Sequence, residues 1–174
     1  THSHIIDAAL YLLGDPDPVA VQATLRGREG ELGIQTQEDG AIVTDSDPSI
    51  VHAFIELAGD LTLTCTSLPM LDIEIVCEEG VLRNWGDSSR YTAMRCNSRY
   101  DWEPVEVPSW QARSGTVAII QDLMGAITDG RPTRSGLEVI RRGMEILFAM
   151  VASHAVGGRR VVPMTMRNVS VHSH

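Results

Sequence analysis

Hydrophobic residues recur with a helical period at both ends of the chain and with period two in the middle. Apolar residues at i, i+4 and i+7 predict a short helix over 4–13, and Gly14 follows it where a left-handed cap belongs. From Val19 to Arg26 every second residue is apolar, which predicts a strand with one face in water. The next stretch, 27–40, is rich in Gly, Glu and Gln, so we expect a long, mobile loop there.

The middle of the chain predicts a series of short strands. The segments with alternating or apolar strand character are 50–58, 61–68, 71–77, 81–85, 91–96 and 105–107. Gly59-Asp60 separates the first two and is typical of a two-residue hairpin turn. Hairpin-linked strands of this kind predict a largely antiparallel sheet.

The last third returns to the helical period. An amphipathic helix is predicted over 116–129, with Gly130 as its cap, and a second from Leu137 to near Gly157. Ser135 and Glu138 have the spacing of a capping box at the start of that second helix. A short strand is predicted over 159–163.

Together these elements predict an α+β fold, an open and predominantly antiparallel β-sheet with helices packed on one face. We expect one domain over 1–164 and a C-terminal tail over 165–174 that shows no clear period.

Composition narrows the functional classes. A net charge of −9 and a pI near 5.0 argue against a nucleic-acid partner. All 14 basic residues are arginine, so a Schiff-base or proton-donor lysine is not available from the chain. We expect the three cysteines to be buried, reduced thiols, which fits a cytoplasmic protein. The chain shows neither a signal peptide nor 18 consecutive apolar residues, so no membrane span is expected.

The N-terminus enters helix-like sequence at once, so we expect a piece that begins in the middle of a larger fold. A G-x-G-x-x-G fingerprint and a Walker-type loop are both missing from the sequence. The chain by itself is therefore expected to bind no nucleotide cofactor.

Three stretches resemble one known family. They are His4-Ile5-Ile6-Asp7 followed by Tyr11-Leu12-Leu13-Gly14; the strand pair over 55–66; and an ordered set over 121–163 that includes Gln121-Asp122-Leu123, Gly130-Arg131-Pro132, Ser135-Gly136, Ser153 and Val161-Val162-Pro163. In this order they are similar to the C-terminal domain of the Gfo/Idh/MocA family, the glucose–fructose oxidoreductase and inositol dehydrogenase group.

The resemblance implies a domain that supplies the substrate pocket and forms homo-oligomers through an exposed sheet face. It implies NAD or NADP in the intact enzyme, held by a preceding Rossmann domain that also carries a Glu-Lys-Pro motif. The expected substrate is a small sugar, polyol or related secondary alcohol or carbonyl.

By the same resemblance His4 is the catalytic histidine, which moves a proton at the carbon that exchanges hydride. An imidazole suits that task because it titrates near neutral pH. The family often has Asp or Asn four residues earlier, a position that falls before Thr1. Asp7 is expected to support the site, as an acid near a helix N-terminus and through an orienting hydrogen bond. The alternative for His4 is a histidine at a helix end without a role.

Other candidates carry simpler explanations. His2-Ser3-His4 and His172-Ser173-His174 could share a metal ion, but we expect no functional metal. His52 and His154 are expected to be hydrogen-bonded structural histidines. Trp85, Trp102 and Trp110 could line a sugar pocket, although core or interface packing is favoured. The row Thr62, Thr64, Thr66 is expected on an exposed sheet face.

The leading hypothesis is the substrate-binding and oligomerisation domain of an NAD(P)-dependent oxidoreductase, inactive by itself. A non-catalytic assembly or sensor module with the same fold is the alternative. A metal-dependent hydrolase is a remote third.

Overall fold

The computed structural model describes residues 2–27, 30–45, 48–67, 72–85, 91–108, 114–163 and 169–171 of the 174. The helices are α1 (His2–Leu12), α2 (Gly115–Asp129) and α3 (Leu137–Ala155). The strands are β1 (Pro18–Arg26), β2 (Ile34–Thr36), β3 (Ile42–Thr44), β4 (Ile50–Leu57), β5 (Leu61–Thr66), β6 (Asp72–Cys77), β7 (Gly80–Trp85), β8 (Tyr91–Ser98), β9 (Asp101–Val105) and β10 (Val169–Val171).

The predicted α+β class is confirmed, and all but one of the strand pairs are antiparallel. The described strands form three separate sheets, in the orders β1-β4-β5, β10-β3-β2 and β6-β7-β8-β9. The chain folds as two compact units, one over 1–67 and 135–174 and the other over 68–134.

The core of the first unit lies between the β1-β4-β5 sheet and the helices α1 and α3. The alternation in β1 and β4 turns one apolar face of the sheet inward. Val21, Leu25 and Ile55 are fully buried there, and α3 contributes Ile146 and Met150 to the same cluster. Burial of the helix and sheet faces against each other is therefore what holds this unit together.

The hairpin between β4 and β5 lies where the sequence predicts it, but its loop is one residue longer than predicted. Leu57 pairs with Leu61, so the loop consists of Ala58, Gly59 and Asp60. Gly59 and Asp60 both have positive φ, 80° and 58°. The strands pair in register from His52↔Thr66 to Leu57↔Leu61. The turn residues thus fix the register that places Thr62, Thr64 and Thr66 on the outer face.

One buried hydroxyl connects α3 to the edge of the sheet. The Ser153 Oγ accepts a hydrogen bond from the Ala23 N–H at 2.8 Å and donates one to the Arg159 carbonyl at 2.7 Å. The side chain has no exposed surface. Two residues before Ala23, Val21 exchanges backbone hydrogen bonds with Val161. The chain after α3 therefore covers this part of the β1 edge, as an isolated bridge and not as the strand predicted over 159–163.

The predicted loop over 27–40 is wrong in part, because β2 lies within it. β2 pairs with β3, and β10 pairs with β3 in parallel on the other side. Little in the sequence indicates these strands, because each has only three residues, too few to show a period.

The second unit carries the four-stranded antiparallel sheet and α2. Its last strand, β9, begins earlier than the segment 105–107 in which a strand was predicted. β9 pairs with β8 after a turn at Arg99-Tyr100, with Met94 opposite Pro104. A proline fits there because β9 is an edge strand, where one backbone donor can be missing.

Helix ends agree with the prediction at the C-termini and differ at the start of α3. Gly14 and Gly130 have φ of 85° and 65°, as left-handed caps do. The predicted capping box is wrong, because Gly136 is the N-cap of α3 and no side chain caps it. Glu138 bonds Arg141 at 2.9 Å instead.

The three cysteines were predicted to be buried, reduced thiols, and burial is confirmed for one of them. All three cysteines are free, but only Cys65 is buried, and its burial raises the pKa of that thiol. Cys77 is exposed and Cys96 is intermediate. Among the described residues no helix has the length and apolarity needed to cross a membrane.

We predict that Ser153→Ala lowers the free energy of unfolding by about 1–3 kcal/mol, because it leaves the Ala23 N–H and the Arg159 carbonyl without their partner in a buried site. Urea unfolding followed by circular dichroism measures the change. Ser114→Ala is the matched control, since the Ser114 side chain makes no capping hydrogen bond, and it should stay within about 0.5 kcal/mol of wild type. An equal effect of the two substitutions would contradict the bridging role of Ser153.

Candidate functional site

Helix α1 carries both residues that the sequence assigned to a site. Its inner face is fixed by Ile6, Ala9 and Leu10, all of which are buried in the core that α3 shares. These residues recur at i, i+3 and i+4, so the helix is amphipathic and its orientation about its own axis is determined by burial. The opposite face must then point to solvent.

His4 and Asp7 both lie on that outer face, and both are exposed. Tyr11 follows at i+7 on the same face and is 55% exposed. Residues at i, i+3 and i+7 of a helix form one stripe, so the helix itself brings the imidazole, the carboxylate and the phenol together. Tyr11 was missed as a candidate, although its spacing from His4 was available in the sequence.

His4 makes no side-chain hydrogen bond or ion pair with any described residue, and neither does Asp7. The orienting hydrogen bond expected from Asp7 is therefore not formed within the described part of the chain. Both nitrogens of the imidazole are open to a ligand or to another protein surface. Chemically, the stripe offers one proton acceptor, one carboxylate and one hydroxyl.

An ion pair connects the link between α1 and β1 to α3. After the helix ends, the Asp15 N–H donates to the Leu10 carbonyl at 2.8 Å. The chain then reaches Asp17, whose carboxylate accepts a hydrogen bond from the Arg142 Nε at 2.6 Å. The hydrogen bond and charge of Arg142 lower the pKa of Asp17. The sequence showed Arg142 only as part of an arginine pair, with no sign of a partner 125 residues away.

The outer face of the β1-β4-β5 sheet is the second candidate surface. Cross-strand rows place Thr24, His52 and Thr66 side by side, and Gln22, Phe54 and Thr64 in the next row. All six are exposed, with Phe54 at 40%. The predicted exposure of the threonine row is confirmed. The prediction for His52 is wrong, because it lies exposed on this face and makes no side-chain hydrogen bond with a described residue.

A bidentate ion pair lies at one end of the outer face. The Arg160 Nε and one terminal nitrogen donate to the two Glu56 oxygens at 2.8 and 2.7 Å. The hydrogen bond from Arg160 lowers the pKa of Glu56. This carboxylate is therefore charged and occupied near neutral pH, which leaves the face without an uncompensated charge at that end.

The remaining candidates do not assemble into a site within the described residues. His172-Ser173-His174 and Trp110 lie outside them, as does the Trp85 side chain. No group of three possible metal ligands occurs in the described part of the chain. Trp102 is 43% exposed on β9. His154 is half-buried in the last turn of α3 and shows no side-chain hydrogen bond to a described residue.

No family model matches the chain, and no curated protein matches it. Solved structures do. The chain is similar to aldose-aldose oxidoreductase from Caulobacter crescentus, complexed with glycerol, at 19% identity and a TM-score of 0.66 over 92% of this chain and 45% of that chain. Levoglucosan dehydrogenase in complex with NADH and L-sorbose matches at 19% identity and a TM-score of 0.63, over 92% of this chain and 49% of that chain. A super-repressor mutant of Gal80p from Saccharomyces cerevisiae matches at 14% identity and a TM-score of 0.62, over 94% of this chain and 48% of that chain.

The chain spans less than half the length of each of these proteins. At such identities the likeness establishes the fold, and it confirms the structural part of the resemblance read from the sequence. The first two are named as an oxidoreductase and a dehydrogenase, and the three structures share the fold of the Gfo/Idh/MocA type. The chain has the fold of about half of such a protein.

The Asp17–Arg142 pair gives a pH-dependent prediction. Because the folded-state pKa of Asp17 is depressed, the pair contributes stability above the unfolded pKa and loses it as the pH falls through the folded value. Asp17→Asn should therefore lower Tm at neutral pH and have no effect well below pH 3.8, the ordinary aspartate value. Scanning calorimetry of Asp17→Asn, Arg142→Gln and the double variant measures this. Additive losses from the two single changes would show that the residues do not interact.

Proposed function

We propose that the chain is the substrate-side half of an NAD(P)-dependent oxidoreductase that acts on a sugar, polyol or related secondary alcohol or carbonyl. The observation that carries the proposal is the position of His4. It lies exposed beside Asp7 on the outer face of a helix whose inner face is held in the core. Two fold neighbours were solved in complex with glycerol in one case and with NADH and L-sorbose in the other, which supports this substrate class.

In the proposed reaction His4 accepts the proton of the substrate hydroxyl as the carbon-bound hydrogen leaves as hydride. A nicotinamide held by another half of the enzyme supplies the hydride acceptor. His4 must be neutral to accept the proton, and its exposure leaves the lone pair free for the substrate. Asp7, one turn along, stabilises the imidazolium that forms. The reverse reaction uses the same proton in the other direction.

Helix α1 holds His4 in a fixed position relative to the reacting hydroxyl of the substrate. Burial of Ile6 and Leu10 fixes the rotation of α1, and the Asp17–Arg142 pair ties the link that follows α1 to α3. A proton acceptor must lie within hydrogen-bond reach of the reacting hydroxyl, and small displacements are costly. If α1 could rotate about its own axis against α3, the position of His4 would not be fixed.

The proposal assigns the remaining functions to other surfaces. The nucleotide binds to a Rossmann half, and this chain alone is inactive. The outer face of the β1-β4-β5 sheet, with Phe54 among threonines, is the surface through which two copies associate. We place the protein in the cytoplasm, since its three cysteines are all free, which suits a reducing compartment.

A non-catalytic module is the second candidate, and one observation favours it. The fold is also similar to that of Gal80p, whose super-repressor mutant is among the matching structures, so the same architecture occurs in a protein named for repression. A metal-dependent hydrolase has less support, because no cluster of three ligands occurs among the described residues. Zinc that stays bound in stoichiometric amount after chelation would restore that third candidate.

We predict that His4→Asn, in the protein that joins this chain to a nucleotide-binding half, lowers kcat by about 10²–10⁴-fold with little change in KM, because it removes the proton acceptor and keeps the shape. His154→Asn is the matched control, since His154 lies in the last turn of α3 and makes no side-chain hydrogen bond with a described residue. Steady-state kinetics with a polyol and NAD(P) measures both. An unchanged kcat for His4→Asn would contradict the proposed role of His4, whereas no turnover by the wild-type protein would favour the non-catalytic module.

We predict that the isolated chain binds neither NAD(H) nor NADP(H) with a micromolar Kd, since its sequence offers no glycine-rich phosphate loop. Isothermal titration calorimetry at neutral pH measures this. Micromolar binding would show that the nucleotide site lies in this chain and would overturn the division of functions proposed above.

A further inference from the structure

Helix α2 presents an apolar face that stays in water. Six large aliphatic side chains lie within one half of its circumference, and all six are exposed: Val117, Ile119, Ile120, Leu123, Met124 and Ile127. Ala126 alone is buried among the residues of this helix. Exposed apolar residues are normal when scattered, but a contiguous stripe of this kind marks an interaction surface.

The stripe has the spacing of a helix-pairing seam. Val117, Ile120, Met124 and Ile127 recur at i, i+3, i+7 and i+10, which are successive a and d positions of a heptad. They are 47%, 51%, 64% and 75% exposed. An a/d stripe packs best against another helix with the same stripe, because each side chain enters a hole between four residues of the partner.

The charges around the stripe favour an identical partner. The flanking e and g positions hold Thr116, Gln121, Leu123 and Thr128, none of which is charged. The two carboxylates of the helix, Asp122 and Asp129, fall at the f positions, on the side away from the seam. Two copies of an acidic chain can therefore meet here without like charges facing each other.

The carboxylates at the f positions are also already paired within the chain. Asp122 binds Arg131 at 2.9 Å and accepts the Arg134 N–H at 2.8 Å. The Arg134 backbone bond is the first cause of the lowered pKa of Asp122, and the pairing with Arg131 adds to it. Arg131 also lies within 3.8 Å of Asp129. A basic partner would therefore find no unpaired carboxylate beside the stripe. A second copy of α2 needs no carboxylate there, because its contact is apolar.

We propose that the seam formed by Val117, Ile120, Met124 and Ile127 is a self-association surface, on which α2 of a second copy packs in antiparallel orientation about a two-fold axis. The axis passes near Ile120 and Met124, so that Val117 of one copy meets Ile127 of the other. Such a contact is isologous, as most homodimer contacts are. It differs from the proposed sheet-face contact, and a chain using both would form larger assemblies.

The contact should be weak. A helix of 15 residues is about 22 Å long, so one helix pair covers less than the about 800 Å² per partner of a standard interface. We therefore expect a Kd between about 1 μM and 1 mM. The helix does not need the partner in order to form, because Gly130 caps it and Asp122 holds the following turn against it.

Sedimentation velocity of the purified chain over a range of concentrations tests the proposal. Ile120→Glu, at a d position, should weaken the association at least about a hundredfold, because each dimer would bury two unpaired carboxylates. Ile119→Glu is the matched control: the same substitution on the same helix, at a residue 62% exposed and outside the seam. It should change Kd less than about threefold. Circular dichroism establishes that each variant is folded, and Ile127→Gln replaces Ile120→Glu if that one is not.

Phe54→Glu separates this surface from the sheet face. If the α2 seam acts as proposed, Phe54→Glu does not change the self-association that Ile120→Glu removes. A chain that stays monomeric to about 1 mM overturns the proposal and assigns the stripe to a different protein or domain. An equal change in the Kd of self-association for Ile119→Glu and Ile120→Glu overturns the proposal as well. Self-association that Phe54→Glu abolishes and Ile120→Glu does not also overturns it.

Discussion

The packing of α3 on β1 is the contact on which the first unit of this protein depends. Ile146, Ala149 and Met150 of the helix are fully or almost fully buried against the inner face of the sheet. Ser153, on the same side of α3, completes the hydrogen bonding of the β1 edge. A helix that supplies both apolar contact and a hydroxyl to one strand can dock in only one position, because the hydroxyl must reach a particular N–H.

The position of α1 follows from that of α3. Its buried residues belong to the same cluster, and the link that follows it is bound through Asp17 to Arg142, one helical turn before Ile146. Burial fixes which face of α1 points inward, and so fixes that His4, Asp7 and Tyr11 point outward. The core of this unit therefore positions the candidate site, although none of the candidate residues belongs to the core.

Three surfaces of different character result from the fold. The α1 stripe is polar and carries the only predicted catalytic residue. The outer face of the β1-β4-β5 sheet is flat, rich in threonine, and has its end carboxylate bound by Arg160. The α2 stripe is aliphatic and lacks charge at its centre. Chemically different surfaces suit different partners: a small polar ligand at the first, a flat protein face at the second, a helix at the third.

The sequence by itself determined the elements whose signals are local. Period and turn residues located α1, β1, the β4–β5 hairpin and α2, because each is encoded within a few neighbouring residues. The stripe of His4 and Asp7 followed from helical spacing alone. The three-residue strands β2, β3 and β10 escaped prediction, because they are too short to show a period and pair across long stretches of chain.

Only the tertiary structure decided the contacts between distant residues. Ser153 reaches Ala23 over 130 positions, Arg142 reaches Asp17 over 125, and Arg160 reaches Glu56 over 104. Nothing in the local sequence distinguishes these partners from other serines, arginines and carboxylates. The same holds for exposure: the amphipathic period of α2 predicted a buried face, whereas the structure leaves that face in water. Whether an apolar face is covered depends on what the rest of the chain brings against it, and no local pattern records that.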